Sequence, residues 1–160
     1  MARVGLGQDS HRFSSDVSRE LVLGGVVVPG QPGLDGNSDA DVVLHALCRA
    51  LEQAIGRDGF SQYADEMAAR GIVDSRAYVQ VARQHVAEAG FVIENVGVMI
   101  EARTPKIEPL RQRMKASIAG LLSIGEDAVG VTATSGEGMT PFGKGEGIQA
   151  LVIVALERAP

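Results

Sequence analysis

The spacing of apolar and polar positions divides the chain into alternating extended and helical segments. Arg3 to Gln8 reads as a first strand and Glu20 to Val28 as a second, with Gly24-Gly25 permitting a kink or bulge. Pro29 to Gly36 is a loop rich in Gly and Pro. Ser38-Asp39-Ala40-Asp41 has the form of a capping box, hydroxyl first and carboxylate three positions on, and predicts a helix beginning at Ser38. Behind it Val42, Val43, Ala46, Leu47, Ala50, Leu51 and Ala54 form one stripe at helical spacing, and Gly56 ends it. Arg57 to Val73 lacks such periodicity and predicts a long loop with some helix, a length at which loops are often functional. Asp74-Ser75 opens a second amphipathic helix that stops near Gly90, and Val92 to Ala102 follows as a strand. Pro105 fits the first turn of a third helix running to about Leu122, with Pro109 bending its start. Val129 to Thr134 is a strand, and the nearly continuous apolar run Ile148 to Leu156 is a buried one.

This order predicts the α+β class: a mixed β-sheet with helices packed on one face, in a single domain over residues 1–160. Hydrophobic residues make up 45% of the chain and aromatic ones only 4%, with no Trp, so Val, Ile, Leu and Ala must build the core. The one cysteine, Cys48, sits on the first helix beside Leu47, which favours packing over a disulfide. A net charge of -5 and a pI near 5.2 exclude the phosphate-backbone affinity of a nucleic-acid binder. One local exception, Arg103-Thr104-Pro105-Lys106 with Arg111, Arg113 and Lys115, either holds a phosphate or forms a solvated basic face. Neither a signal peptide nor a membrane span is recognisable, so a cytoplasmic protein is expected.

Three residues carry the candidate chemistry. Asp9 and His11 lie two apart on a strand and so point to the same face, where His45 from the first helix can join them. Two nitrogens and one carboxylate suit zinc and leave a fourth tetrahedral position for a substrate oxygen. Taken singly, Asp9 also reads as a strand-end carboxylate, His11 as a half-buried polar residue and His45 as a satisfied core histidine. His85, in a polar helical stretch, is expected to be solvated. The segment Thr134 to Gly147 concentrates glycines and hydroxyls between two strands. Gly138 to Lys144 matches G-x-x-x-x-G-K, but Gly145 stands where a phosphate-binding loop needs Ser or Thr, and a strand follows where a helix is needed. Nucleotide hydrolysis is thereby excluded. A loop whose backbone approaches phosphate oxygens remains open, with Glu137 able to carry a second, hard cation such as Mg2+, and so does a subunit-contact loop.

Five segments in order, Gly7-Gln8-Asp9-Ser10-His11-Arg12, Asn37 to Leu47, Asp74-Ser75, Thr104-Pro105-Lys106 and Gly143 to Gly147, resemble the 2-C-methyl-D-erythritol 2,4-cyclodiphosphate synthase family nearly end to end. The resemblance implies a homotrimer with active sites at subunit interfaces, each holding Zn2+ and a second divalent cation, Mg2+ or Mn2+. It implies closure of a cyclic diphosphate from 4-diphosphocytidyl-2-C-methyl-D-erythritol 2-phosphate with release of CMP, on the methylerythritol phosphate route to isoprenoids. By this resemblance Asp9, His11 and His45 match the zinc ligands and Glu137 the second metal's carboxylate. Ala102, Thr104, Pro105 and Lys106 match the cytidine pocket; Thr134, Ser135, Gly136 and Lys144 match groups that meet the phosphates, and Phe142 supports them, offset by one position. Asn37, Ser38, Asp58, Tyr63 and Asp65 fall at the erythritol end, and Asn37 and Ser135 match catalytic positions. Asn37 stands where many members carry His, Ser135 where they carry Thr, and residues 56–65 depart from the family pattern. The alternative is a trimeric zinc-containing protein that binds phosphorylated or isoprenoid ligands near Lys144 and Glu146 with little turnover.

Overall fold

Four strands lie side by side in the order β1 (Arg3–Arg12), β6 (Gly147–Arg158), β4 (Phe91–Glu101) and β5 (Val129–Thr134). This computed structural model describes all residues, 1–160. β6 runs antiparallel to both its neighbours, while β4 and β5 are parallel, so the sheet is mixed as expected. One row across it reads Asp9, Ala150, Ile100, Ala133, which places the ends of β1 and β5 at the same level of the sheet.

Period-two alternation decides the two faces. Val96, Val98, Ile100, Val129, Val131, Ile148, Ala150, Val152, Val154 and Leu156 are buried on the inner face. There α1 (Val42–Ala54) lies over β1 and β6, α3 (Ser75–Glu88) flanks α1, and α4 (Arg111–Leu122) lies against β5. The outer face carries no helix and leaves Val4, Leu6, Met99 and Ile153 exposed, Ile153 by 49%.

Several boundaries differ from the sequence expectation, each for a local reason. Glu20 to Val28 is two strands, β2 (Leu21–Leu23) and β3 (Val26–Val28), because Gly24 and Gly25 both adopt positive φ and form a two-residue hairpin turn. The first helix starts after Asp41, not at Ser38: Ala40 takes a left-handed conformation (φ 54), which interrupts the capping box. Asp41 Oδ1 instead accepts from Val43 N–H and Leu44 N–H at 3.1 and 3.0 Å. The same carboxylate accepts from Gly24 N–H (2.9 Å) and Gly25 N–H (2.7 Å), so one fully buried side chain caps α1 and ties it to the hairpin. Arg57 to Val73 contains α2 (Phe60–Ala69), whose buried residues are only Phe60 and Ala64. A stripe that narrow leaves little periodicity to read. Pro105, in a cis peptide with Thr104, stays in the loop before α4; Glu108–Leu110 form a separate 3-10 turn that contains Pro109.

His85 also departs from expectation. Its Nδ1 lies 2.6 Å from Oε1 of Glu52, a buried carboxylate on α1 that Arg57 also approaches at 3.3 Å. The polar stretch of α3 therefore faces a carboxylate across the helix pair. Cys48 is buried and unpaired, as its position implied, and burial pushes its thiol far up.

Replacing Asp41 by Ala strands four backbone N–H groups. Asp41→Ala is expected to lower unfolding free energy by about 2–4 kcal/mol, read as a drop in the urea midpoint; a loss well under about 1 kcal/mol would show that water replaces the carboxylate easily.

Candidate functional site

The site begins with two glycines. A Cβ on Gly5 would lie 2.0 Å from the Ala50 carbonyl oxygen, and one on Gly7 would lie 2.0 Å from that of Ala46. Only glycine lets α1 drop this close onto β1. Asp9 is the next position on the same strand face, and His45 sits beside Ala46 on the helix, so the docking carries the imidazole to the carboxylate.

Asp9 Oδ2 lies 3.1 Å from His45 Nδ1 and 3.3 Å from His11 Nε2. One ligand atom from each of the three residues falls within 4.8 Å of the others, the separation a single metal ion spans. Burial alone would raise the Asp9 carboxyl, but hydrogen bonds and charge from His11 and His45 outweigh it and hold the group at about 2. The carboxylate is thus charged at any working pH.

A chain of polar groups behind His45 fixes its orientation. Ser75 Oγ donates a short hydrogen bond to Asp39 Oδ1, and Ser75 N–H donates to Asp39 Oδ2 at 3.0 Å. With its hydrogen committed, the Ser75 oxygen accepts from His45 Nε2, 2.8 Å away. Nε2–H is thereby committed to Ser75, and Nδ1 is the ring nitrogen turned toward the Asp9 carboxylate. A cation bound there would take the place of the Nδ1 proton, and the Nε2 bond to Ser75 would hold the ring in the tautomer that a metal-ligating histidine needs. Sequence reasoning assigned no role to Ser75 or Asp39. The Asp74-Ser75 pair signalled a helix start, but nothing in one dimension shows that Ser75 lies behind a histidine thirty positions away.

A cavity of about 160 Å³ opens beside the triad. Asn37, Ser38 and Asp65 line it as expected, with Asn37 Nδ2 3.5 Å from Asp65 Oδ1 and Ser38 Oγ 3.3 Å from His45 Nε2. Phe60 and Arg49 also line it, neither singled out from sequence. Asp58 lies instead in a neighbouring cleft with Glu52 and Arg57. Tyr63 packs edge-on against Phe60 and His85, and its buried hydroxyl has no hydrogen-bond partner.

The remaining predicted residues gather elsewhere. Ala102, Pro105, Lys106, Thr134 and Ser135 line a cleft of about 590 Å³ at the ends of β4 and β5. Thr104 precedes Pro105 at the same place. Gly136 and Glu137 form a tight turn just beyond, both at positive φ (60 and 52), with Glu137 exposed. Phe142 lines a third cleft with His11 and Arg12, and Lys144 is exposed on the loop that follows. Ser10 and Thr134 share a register row but lie three strand spacings apart, on the order of 14 Å. Within one chain the triad and the Lys106 cleft are thus two separate clefts at the same end of the sheet.

A synthase for 2-C-methyl-D-erythritol 2,4-cyclodiphosphate from Chlamydia caviae is 41% identical over 156 residues, covering 96% of this chain and 88% of the relative. The enzyme of the same name from Chlamydia muridarum is 41% identical over 161 residues, covering 99% and 90%. Among solved structures, the Plasmodium vivax synthase superposes with a TM-score of 0.85 at 25% identity over the full length of both chains. A CDP-bound form of such a synthase superposes with a TM-score of 0.86 at 28% identity, covering 97% of this chain and all of the other. The YgbB family model matches residues 2–157, and the chain belongs to that family, whose curated relatives here are 2-C-methyl-D-erythritol 2,4-cyclodiphosphate synthases.

Proposed function

We propose that this chain, as a homotrimer, converts 4-diphosphocytidyl-2-C-methyl-D-erythritol 2-phosphate to 2-C-methyl-D-erythritol 2,4-cyclodiphosphate and CMP in isoprenoid biosynthesis. The convergence of Asp9, His11 and a His45 ring oriented by Ser75 on one point, in a chain of the synthase family, carries this reading. An oxygen of the 2-phosphate attacks the β-phosphorus, a P–O bond forms there, and the bond from the β-phosphorus to the bridging oxygen breaks as CMP leaves with the electron pair. The nucleophile is already an anion, so the protein needs no strong base, only positioning and charge neutralisation.

Zn2+ held by Asp9, His11 and His45, and a second cation, Mg2+ or Mn2+, held by Glu137, would supply that neutralisation at the phosphates. Each half-site then has a task. Lys106 with Ala102, Thr104 and Pro105 holds the cytidine end, while Thr134, Ser135, Gly136, Lys144 and Phe142 surround the phosphates. Ser38 and Asp65 hold the erythritol end, with Asp58 approaching from the adjoining cleft. Asn37 and Ser135 offer hydrogen bonds to oxygens that gain charge during the transfer, and Asn37 does so without a charge of its own. Tyr63 acts from below by packing under Phe60.

The outer face of the sheet supports the trimer. Leu6, Ile153 and Gly97 share one row, and Gln8, Leu151 and Met99 the next, giving a helix-free face with apolar side chains exposed in the single chain. Burying it between protomers sets the triad of one chain opposite the Lys106 cleft of another, which joins the two half-sites.

Two outcomes are expected. Purified protein with Zn2+ and Mg2+ should turn the substrate into equal amounts of CMP and cyclic diphosphate, followed by phosphorus NMR; binding without CMP release would leave a ligand-binding protein, not an enzyme. Ile153→Asp places a charge on the proposed interface and should elute as a chain of 16.8 kDa with turnover lower by about 100-fold or more. An intact trimer would place the interface elsewhere.

A further inference from the structure

We propose that Arg49 binds the 2-phosphate of the substrate and so sets the preference for a substrate phosphorylated at that position. The inference rests on the cyclisation proposed above. His45 and Arg49 are one helical turn apart on α1 and share a face, so the helix that brings the imidazole to Asp9 also brings a guanidinium into the same cavity. No other Lys or Arg lines that cavity, whereas Asp9 and Asp65 both do.

The guanidinium has no structural partner that would account for it. None of the carboxylates lies within ion-pair distance of Arg49, although three other arginines are paired. Its carbon Cζ stacks 4.8 Å from the Phe60 ring centroid, a contact that uses the face of the group and leaves its edge free. Along that edge, Nε is buried without an acceptor, and Nη2 reaches only Ser61 Oγ at 3.4 Å. A cation held by stacking, with donors unspent, in a cavity flanked by carboxylates is prepared for an anion, and the planar fork suits a phosphate monoester.

Position selects which phosphate. The diphosphate joins the cytidine and so belongs with the Lys106 and Thr134 cleft, while the cavity of Asn37, Ser38 and Asp65 takes the erythritol end that bears the 2-phosphate. Zn2+ at the triad would offset Asp9, which leaves the Asp65 carboxylate facing a phosphate dianion, and Asn37 carries no charge to oppose it. Arg49 supplies that charge.

The test compares the substrate with 4-diphosphocytidyl-2-C-methyl-D-erythritol, which differs only by lacking the 2-phosphate. Wild-type CMP release first establishes the cyclisation, and its absence would fail the functional reading irrespective of Arg49. In Arg49→Gln, KM for the substrate should rise about 10- to 100-fold, while Ki for the unphosphorylated competitor stays within about twofold. Arg49→Lys, which keeps the charge without the fork, should show an intermediate KM and the same unchanged Ki. Parallel loss of both constants would mean that Arg49 merely clamps α2, and an unchanged KM would mean that the phosphate binds elsewhere; either result overturns the proposal.

Discussion

The close seating of α1 on β1 is the constraint on which the rest of the molecule depends. With a methyl group on Gly5 or Gly7, a carbon would have to sit 2.0 Å from a helix carbonyl oxygen, so any other residue lifts the helix off the sheet. The buried Asp41 carboxylate then fixes where the helix starts, and the hairpin turn it holds fixes the helix from the other side. His45 begins the second turn of a helix that is anchored below and at its end. Its meeting with Asp9 and His11 is a product of backbone packing, not of attraction between the three side chains.

Electrostatics follow from that placement. A carboxylate held charged by its two histidine neighbours, with the His45 ring oriented by Ser75 and Asp39, turns three potential ligand atoms toward the head of the cavity. Two ring nitrogens and one carboxylate at that spacing could hold a single divalent cation. Arg49 contributes the remaining positive charge along the same helix face. The Lys106 cleft, at the ends of β4 and β5, stays distant from the triad because the sheet itself separates β1 from β5 by two intervening strands. The outer face of the same sheet carries no helix and leaves Val4, Leu6, Met99 and Ile153 exposed.

The triad, the sheet strands and the helix stripe of α1 were legible in the sequence because each rests on a short period: two for Asp9 and His11, helical for the residues around His45. The sequence also placed Asn37, Ser38 and Asp65 together through the family resemblance, and the structure lines one cavity with them. What escaped was set by contacts distant in sequence or by backbone conformation. Ala40 in a left-handed conformation defeated a well-formed capping box, and α2 hid because two buried residues make no pattern. His85 read as solvated because its partner, Glu52, lies thirty-three positions earlier. Ser75 and Arg49 were invisible for the same reason: each matters through what it faces across the helix layer.

Whether backbone docking builds a metal site from Asp9 Oδ2, His11 Nε2 and His45 Nδ1 can be read from anomalous diffraction at the zinc edge, on crystals grown with Zn2+. A peak is expected about 2.0–2.2 Å from each of those three atoms, with a fourth position open. Zinc bound through His45 Nε2, or a site that omits Asp9, would contradict it.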